Sequence, residues 1–148
     1  MEMILLTLAG VVVSVLVGTF WYSNATPMGK IHMQYLGFDK LSKKEQQNKI
    51  KKAMPMMPKI YAGQMLLSFL TSFAVVFIVS LSLQNGLTLA MALGFIIFNW
   101  ACFMVPVVGS GILWGNCDPK IAWKKFFSDI SANLVTVLLI ALMTSFFA

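Results

Sequence analysis

Asp129 is the one acidic or basic residue that falls well inside a hydrophobic segment of the sequence. A charge there costs about 2–3 kcal/mol on insertion scales, so such a residue is by default a candidate functional site. Lys125 precedes it by one helical turn and Asn133 follows it by one turn. Two interpretations stay open. Asp129 binds a cation or accepts a proton in a polar cavity, or it pairs with Lys125 at the membrane surface for about 1 kcal/mol or less.

Small or polar side chains recur at a similar depth in the other hydrophobic segments, and Asn99 lies near the middle of the third. If these side chains line a cavity, Asp129 is its one titratable group. A plain helix bundle with local serine hydrogen bonds is the alternative. The predicted intramembrane polar site consists of Asp129, Asn133, Ser110, Ser14, Ser68, Ser72 and Asn99.

Four hydrophobic blocks must position this site. The chain has 148 residues, of which 59% are hydrophobic and only 11% charged, a balance outside the soluble globular range. Because a bilayer core needs about 20 apolar residues per helix, this length holds about four spans and no second domain. We predict an all-α membrane protein: four transmembrane helices in an antiparallel bundle (about 3–23, 60–83, 87–115 and 121–147) plus a short cytoplasmic surface helix, within the basic loop 24–59.

The surface helix is predicted from Ser42 and Glu45, which have the spacing of a capping box. It should end by about Met54, because Pro55 disfavours helix at the residue before it. Lysines surround a narrow apolar side, and anionic lipid attracts such segments by about 1 kcal/mol per lysine. A solvated connector with no lipid preference is the alternative. The lysines assigned to anionic lipid are Lys43, Lys44, Lys49, Lys51 and Lys52.

The lysines also predict the orientation. Of the 11, eight lie between the first and second segments and three at the start of the fourth, on the same side of the membrane. Since the basic side is normally cytoplasmic, both termini are expected outside. A cleaved signal peptide ending near Ala25 fits poorly, because cleavage there would export the most basic loop. This orientation accounts for the net charge of +6, so we expect no nucleic-acid partner.

Small residues and a proline predict helix contacts and a bend. Gly10, Ser14 and Gly18 recur every four residues, the pattern that lets helix backbones approach closely in one chain or between two copies. The third segment is too long for the bilayer, so we expect it to tilt or bend. Pro106 lacks a backbone donor, and Gly109 and Gly111 follow it, so the bend is predicted there.

Few residue types suited to catalysis or metal binding are present. One histidine, no arginine and no carboxylate pair within the spans predict a protein that is not an enzyme and has no cofactor. Cys102 and Cys117 are too far apart along one helix to pair, and are interpreted as packing residues. Methionines at 54, 56 and 57 suggest a Cu(I) site, but the flexible gap-filling role of methionine is the stronger interpretation, and no metal is predicted.

Short motifs resemble a family of small bacterial four-helix membrane proteins catalogued as a domain of unknown function. They are Gly18-Thr19-Phe20-Trp21-Tyr22-Ser23, Gly29-Lys30, Leu36-Gly37-Phe38 with the basic segment, and Gly94-Phe95. His32 departs from the family pattern, which has tryptophan near that position, and this weakens any role for it. The resemblance implies the four-helix fold and a location in the bacterial inner (cytoplasmic) membrane, but no activity.

Two classes of function follow from these features. The polar layer around Asp129 and Pro106 favours a homo-oligomeric transporter or channel for a small solute or ion. The small-residue stripes and the basic loop favour a non-catalytic scaffold or accessory subunit that holds a membrane protein partner or anionic lipid. Aligned polar residues at one depth would support transport, whereas a dry, fully packed bundle would support the scaffold.

Overall fold

The computed structural model describes residues 2–115 and 117–147, and every regular element in these residues is helical. A short 3-10 segment, Met54–Met56, precedes the fourth α-helix, and a π-helical segment, Trp100–Met104, separates the fifth from the sixth. The α-helices are α1 (Glu2–Trp21), α2 (Pro27–Tyr35), α3 (Lys43–Ala53), α4 (Met57–Gln84), α5 (Leu89–Asn99), α6 (Val105–Leu113) and α7 (Pro119–Phe147).

Four helical stretches are long and apolar enough to cross a membrane. They are Glu2–Trp21, Lys43–Gln84, Leu89–Ile112 and Pro119–Phe147, and an 18-residue window within each has a mean hydropathy of 2.1 to 2.5. Many large apolar side chains on them are exposed, as expected of surfaces that contact lipid. The four hydrophobic blocks of the sequence are therefore four apolar helical stretches, which supports a membrane protein.

The core lies where α1, α4 and α7 meet. Val76, Val79 and Ile140 are fully buried there. Gly10 lets α1 approach closely, because a Cβ atom at this position would lie 2.9 Å from the Cβ of Ser72 and 3.2 Å from Cγ2 of Ile140. The small residue at Gly10 thus serves packing within one chain.

The basic connection contains two helices where the sequence predicted one. The predicted capping box is confirmed: the Ser42 hydroxyl accepts from the Glu45 amide, and the Glu45 carboxylate accepts from the Ser42 backbone. The Ser42 hydroxyl also donates to the Glu45 carboxylate, and this bond, followed by the one from the Ser42 backbone amide, holds the pKa of the exposed Glu45 carboxyl below its usual value. Helix α3 ends at Ala53, as Pro55 requires, but the chain continues through the 3-10 turn into α4. The unpredicted helix is α2.

The irregular part of the third hydrophobic stretch begins before the predicted bend. The π-helical turn spans Trp100–Met104, and Val105–Leu113, which contains Pro106, is regular helix. Because proline has no N–H, Pro106 cannot donate to the preceding turn. Gly109 contacts another helix, since a Cβ atom there would lie 3.1 Å from the ring of Phe126, whereas Gly111 faces open space.

Candidate functional site

An ion pair at the start of α7 forms the centre of the candidate site. The Lys125 ammonium donates to both carboxylate oxygens of Asp129, one turn further along the helix. The side chains are 7% and 16% exposed. The predicted partnership of these residues is present, but the pair is largely buried, unlike the exposed pair that the sequence suggested. Buried pairs differ energetically from exposed ones, because removing one partner strands the other charge.

Tyr22 adds a third member from another helix. It follows the last residue of α1, and its hydroxyl donates to Oδ1 of Asp129 over 2.7 Å. Burial is the main reason that the pKa of the Tyr22 hydroxyl is raised far above its ordinary value, and the bond to Asp129 raises it further. The phenol is therefore a neutral donor at physiological pH. We refer to Tyr22, Lys125 and Asp129 as the polar cluster.

Helix α2 brings the aromatic side chains of Tyr35 and His32 to the polar cluster. The Thr26 hydroxyl accepts from the Gly29 amide and caps the helix, and it donates to the Trp21 carbonyl over 2.7 Å. Gly29 must be glycine because a Cβ atom there would lie 1.9 Å from the Ser23 carbonyl oxygen. This close turn folds α2 back against α7. As a result the Tyr35 ring lies 5.7 Å from the Lys125 ammonium, within cation–π distance.

His32 borders the polar cluster and has a nitrogen without a partner. Its ring lies 5.0 Å from that of Tyr22, centroid to centroid. Its Nδ1 is one of two buried side-chain polar atoms without a hydrogen-bond partner among the described residues. Burial and then the nearby Lys125 charge lower the pKa of His32, and Asp129 opposes them. The imidazole is thus held neutral beside the ion pair.

Two indole groups fasten α7 to its neighbours near the polar cluster. Trp21 donates from Nε1 to the Ser128 hydroxyl over 3.1 Å, which ties the end of α1 to α7. Trp100, in the π-helical turn, donates to the Ile130 carbonyl over 3.2 Å. The end of α1 and the π-helical turn thus both contact α7 next to Asp129.

The other predicted polar residues do not gather around Asp129. Asn133 comes nearest, since its side-chain amide donates to the Asp129 backbone carbonyl over 2.9 Å. The Ser14 hydroxyl donates to the Gly10 carbonyl on its own helix. The remaining members divide by burial: Ser68 and Ser72 are buried, whereas Asn99 and Ser110 are exposed.

Of the residues predicted to pack helices or bind lipid, Gly10 lies in a close helix contact, whereas Gly18 and the lysines of α3 do not. A Cβ atom at Gly18 would meet nothing within 4 Å, unlike one at Gly10. Lys49 donates to the Leu36 carbonyl over 3.0 Å and lies over the Phe38 ring. All five lysines assigned to anionic lipid, Lys43, Lys44, Lys49, Lys51 and Lys52, are exposed, and no residue of α3 is buried.

The assembled side chains comprise one carboxylate, one ammonium, a phenol and an imidazole. Such groups can exchange protons and change their ionic partners. In the part of the chain that the structure describes, no three His, Cys, Asp or Glu side chains group as a metal site would require. Cys102 and Cys117 are free there, the first exposed and the second half-buried.

Comparison with known families identifies the group to which this sequence belongs. Residues 5–145 match the family described as "Protein of unknown function (DUF1761)". The chain belongs to this family. No curated protein and no solved structure matches. The resemblance to a domain of unknown function is thus confirmed over nearly the whole of this DUF1761 sequence, and it assigns no activity.

Sequence reasoning missed the tertiary part of the site. Tyr22 enters the sequence analysis only as part of a family motif, because nothing local reveals its bond to a carboxylate 107 positions later. His32 was set aside as a departure from the family pattern. One local signal was available, since Thr26 followed by Pro27 has the N-cap and first-turn pattern of a helix start. That signal would have placed His32 on a helix.

Proposed function

We propose that this DUF1761 protein transports a small solute or ion across the membrane and that its polar cluster is the cytoplasmic gate. The observation that supports this most is the buried Lys125–Asp129 pair, closed by the Tyr22 hydroxyl. Ionisable groups in membrane helices concentrate at ion pathways and proton relays because their burial is otherwise unfavourable. Neither catalysis nor a cofactor is part of the proposal.

The proposed gate works by competition for the Asp129 carboxylate. A proton or small cation that reaches Asp129 would displace the Lys125 ammonium, which the Tyr22 and Tyr35 rings could hold by cation–π contact. The buried Nδ1 of His32, without a partner among the described residues, lies beside the gate as a neutral hydrogen-bonding group.

Buried hydroxyl groups support a path beyond the gate. Ser68 and Ser72 lie inside the bundle, and the Ser72 hydroxyl is the second buried polar atom without a partner among the described residues. A buried hydroxyl without a protein partner is a group to which a passing ion or water could bind. The closely packed apolar contact of Val76 and Val79 beside these serines would have to loosen during transport.

Flux measurements on the reconstituted protein test this proposal. The full chain is placed in liposomes loaded with a pH-sensitive dye, and proton, sodium and potassium gradients are imposed in turn. Asp129→Asn should abolish a flux that the unaltered protein supports. Asp39→Asn, the same chemical change at an exposed site, is the matched control. Unchanged flux in Asp129→Asn, at equal protein content and folding, refutes the gate.

A non-catalytic scaffold or accessory role is the second candidate. The packed apolar core around Val76, Val79 and Ile140 favours it, and so does the surface of α3. Helix α3 presents its lysines with no buried residue of its own, so its surface is free to hold anionic lipid or a membrane protein partner. Native mass spectrometry in detergent would test this with added phosphatidylglycerol, and with phosphatidylcholine as the control lipid. Replacing the five α3 lysines by glutamine should reduce bound phosphatidylglycerol alone.

The proposed setting is a bacterial inner membrane, with the helices antiparallel, both termini outside and α3 on the cytoplasmic surface. The support is the lysine asymmetry, since basic loops stay in the cytoplasm. An impermeant thiol reagent applied to intact cells should label Glu2→Cys and leave Asn48→Cys unlabelled, with both native cysteines replaced. The reverse labelling overturns the topology. We further propose that the protein functions as a homo-oligomer.

A further inference from the structure

The third membrane-crossing stretch, Leu89–Ile112, is covered least by the rest of the chain. Only 11% of its most apolar window is buried, against 17% to 33% for the other three. An open groove of about 370 Å³ runs between this stretch and α4. Its walls are mostly apolar and include Leu70, Ile78 and Phe103. Coverage by lipid alone would explain such a surface if it were apolar throughout.

A polar side chain interrupts this surface. Asn99 lines the groove, is exposed, and lies near the middle of Leu89–Ile112. Its Nδ2 atom donates to the Phe95 carbonyl over 2.8 Å, which among the described residues leaves the side-chain oxygen and one amide hydrogen for another partner. Lipid tails offer neither donors nor acceptors, so polar side chains at this depth promote helix association.

The adjoining backbone is irregular. The π-helical turn Trp100–Met104 follows Asn99 directly, and in it the Val105 amide donates to the Trp100 carbonyl five residues earlier. Pro106, just after this turn, has no N–H to donate. Irregular backbone at membrane depth is tolerated where protein covers it.

We propose that this face, defined by Asn99, Phe103 and the groove beside α4, is the contact between two copies of this chain. The amide group of Asn99 is self-complementary, because its oxygen accepts what its nitrogen donates. In two copies related by a two-fold axis, each Asn99 amide can therefore donate a hydrogen bond to the other and accept one from it, without a third chain. The exposed Phe103 ring of one copy supplies apolar surface for the groove of the other. The contact rests on the proposed homo-oligomer but not on transport, and it lies on a different surface from Gly10, Ser14 and Gly18.

Cysteine crosslinking in membranes tests the contact directly. In the full chain with Cys102→Ala and Cys117→Ser, Phe103→Cys should form a disulfide-linked dimer of twice 16.4 kDa under mild oxidation. Phe98→Cys is the matched control, because Phe98 is equally exposed at 63% against 64% but does not line the groove. Equal crosslinking at the two positions, or none at Phe103, overturns the proposal.

Changes at Asn99 test the polar part of the contact. Asn99→Leu should weaken the dimer roughly tenfold, as expected for the loss of an interhelical amide contact. Asn99→Gln keeps the amide and should retain most of the crosslinking at Phe103. Crosslinking that is the same in both variants refutes the role of Asn99. A crosslinked product whose mass differs from that of two chains refutes the second copy as the occupant.

Discussion

Removing the Lys125 ammonium tests the buried ion pair most directly. Methionine is the replacement of choice, because it keeps the unbranched apolar stem of a side chain that is only 7% exposed. Breaking a buried pair by removing one partner costs about 3–5 kcal/mol, since the remaining charge is stranded. Asp129 retains the hydrogen bond from Tyr22 and is 16% exposed, both of which lessen the loss. We therefore expect Lys125→Met to lower the free energy of unfolding by about 3 kcal/mol.

The Asp129→Asn variant and the double variant distinguish the interaction energy of the pair from the effects of each side chain alone. Asp129→Asn strands the ammonium and should also cost about 3 kcal/mol. The double variant removes both charges, and the asparagine oxygen still accepts from Tyr22. Its loss should be no larger than that of either single variant, which gives a coupling of about 3 kcal/mol.

Equilibrium unfolding in mixed detergent micelles, followed by tryptophan fluorescence, measures these differences. Lys124→Met is the matched control, because Lys124 is exposed and lies beside Lys125 on α7. We expect it to change stability by less than about 0.5 kcal/mol. Additive single losses, or a Lys125→Met variant as stable as the control, would show that the pair behaves as a surface pair and refute the argument.

Three further changes test other contacts made by Tyr22, by α1 and by α2. Tyr22→Phe removes a hydrogen bond to a charged group and should cost about 1.5–3 kcal/mol by the same unfolding assay, whereas Tyr61→Phe, at an exposed site, should change nothing. Gly10→Ala should destabilise by about 1–3 kcal/mol through overpacking, whereas Gly18→Ala, which meets open space, should be neutral or stabilising. His32 has a lowered pKa, so the unfolded state binds more protons and stability should fall as the pH drops below about 6.5. His32→Gln should flatten that slope in thermal melts from pH 7.5 to 5, and an unchanged slope would contradict the assignment.

Local signals in the sequence predicted the elements more completely than the site. The four apolar stretches and the capped start of α3 follow from composition and from the spacing of Ser42 and Glu45, both of which act within one segment. Lys125 and Asp129 could be paired because one helical turn separates them. Each of these inferences needs no knowledge of how the helices pack.

The features that the sequence did not predict depend on tertiary contact or on small backbone changes. Helix α2 has nine residues, too few to show a hydrophobic periodicity. It is held by the close contact of Gly29 with the Ser23 carbonyl, which a sequence pattern does not reveal. The burial of Lys125 depends on that helix and on Tyr22, so it could not be anticipated from α7 alone. The π-helical turn before Pro106 likewise follows from how the backbone adjusts to a missing donor.

The strength of the ion pair also bears on which proposed function the polar cluster can serve. A gate must open often enough to be useful, and the coupling between Lys125 and Asp129 limits how easily the two groups separate. A coupling of about 3 kcal/mol leaves the separated state populated roughly once in 150, within the range of minor states that ligands shift. A coupling well above about 5 kcal/mol would reduce it to less than one in several thousand. The pair would then act as a permanent clamp that holds the end of α1, through Tyr22, against α7. The unfolding measurements on Lys125→Met and Asp129→Asn therefore discriminate between a gate and a clamp before any substrate is known.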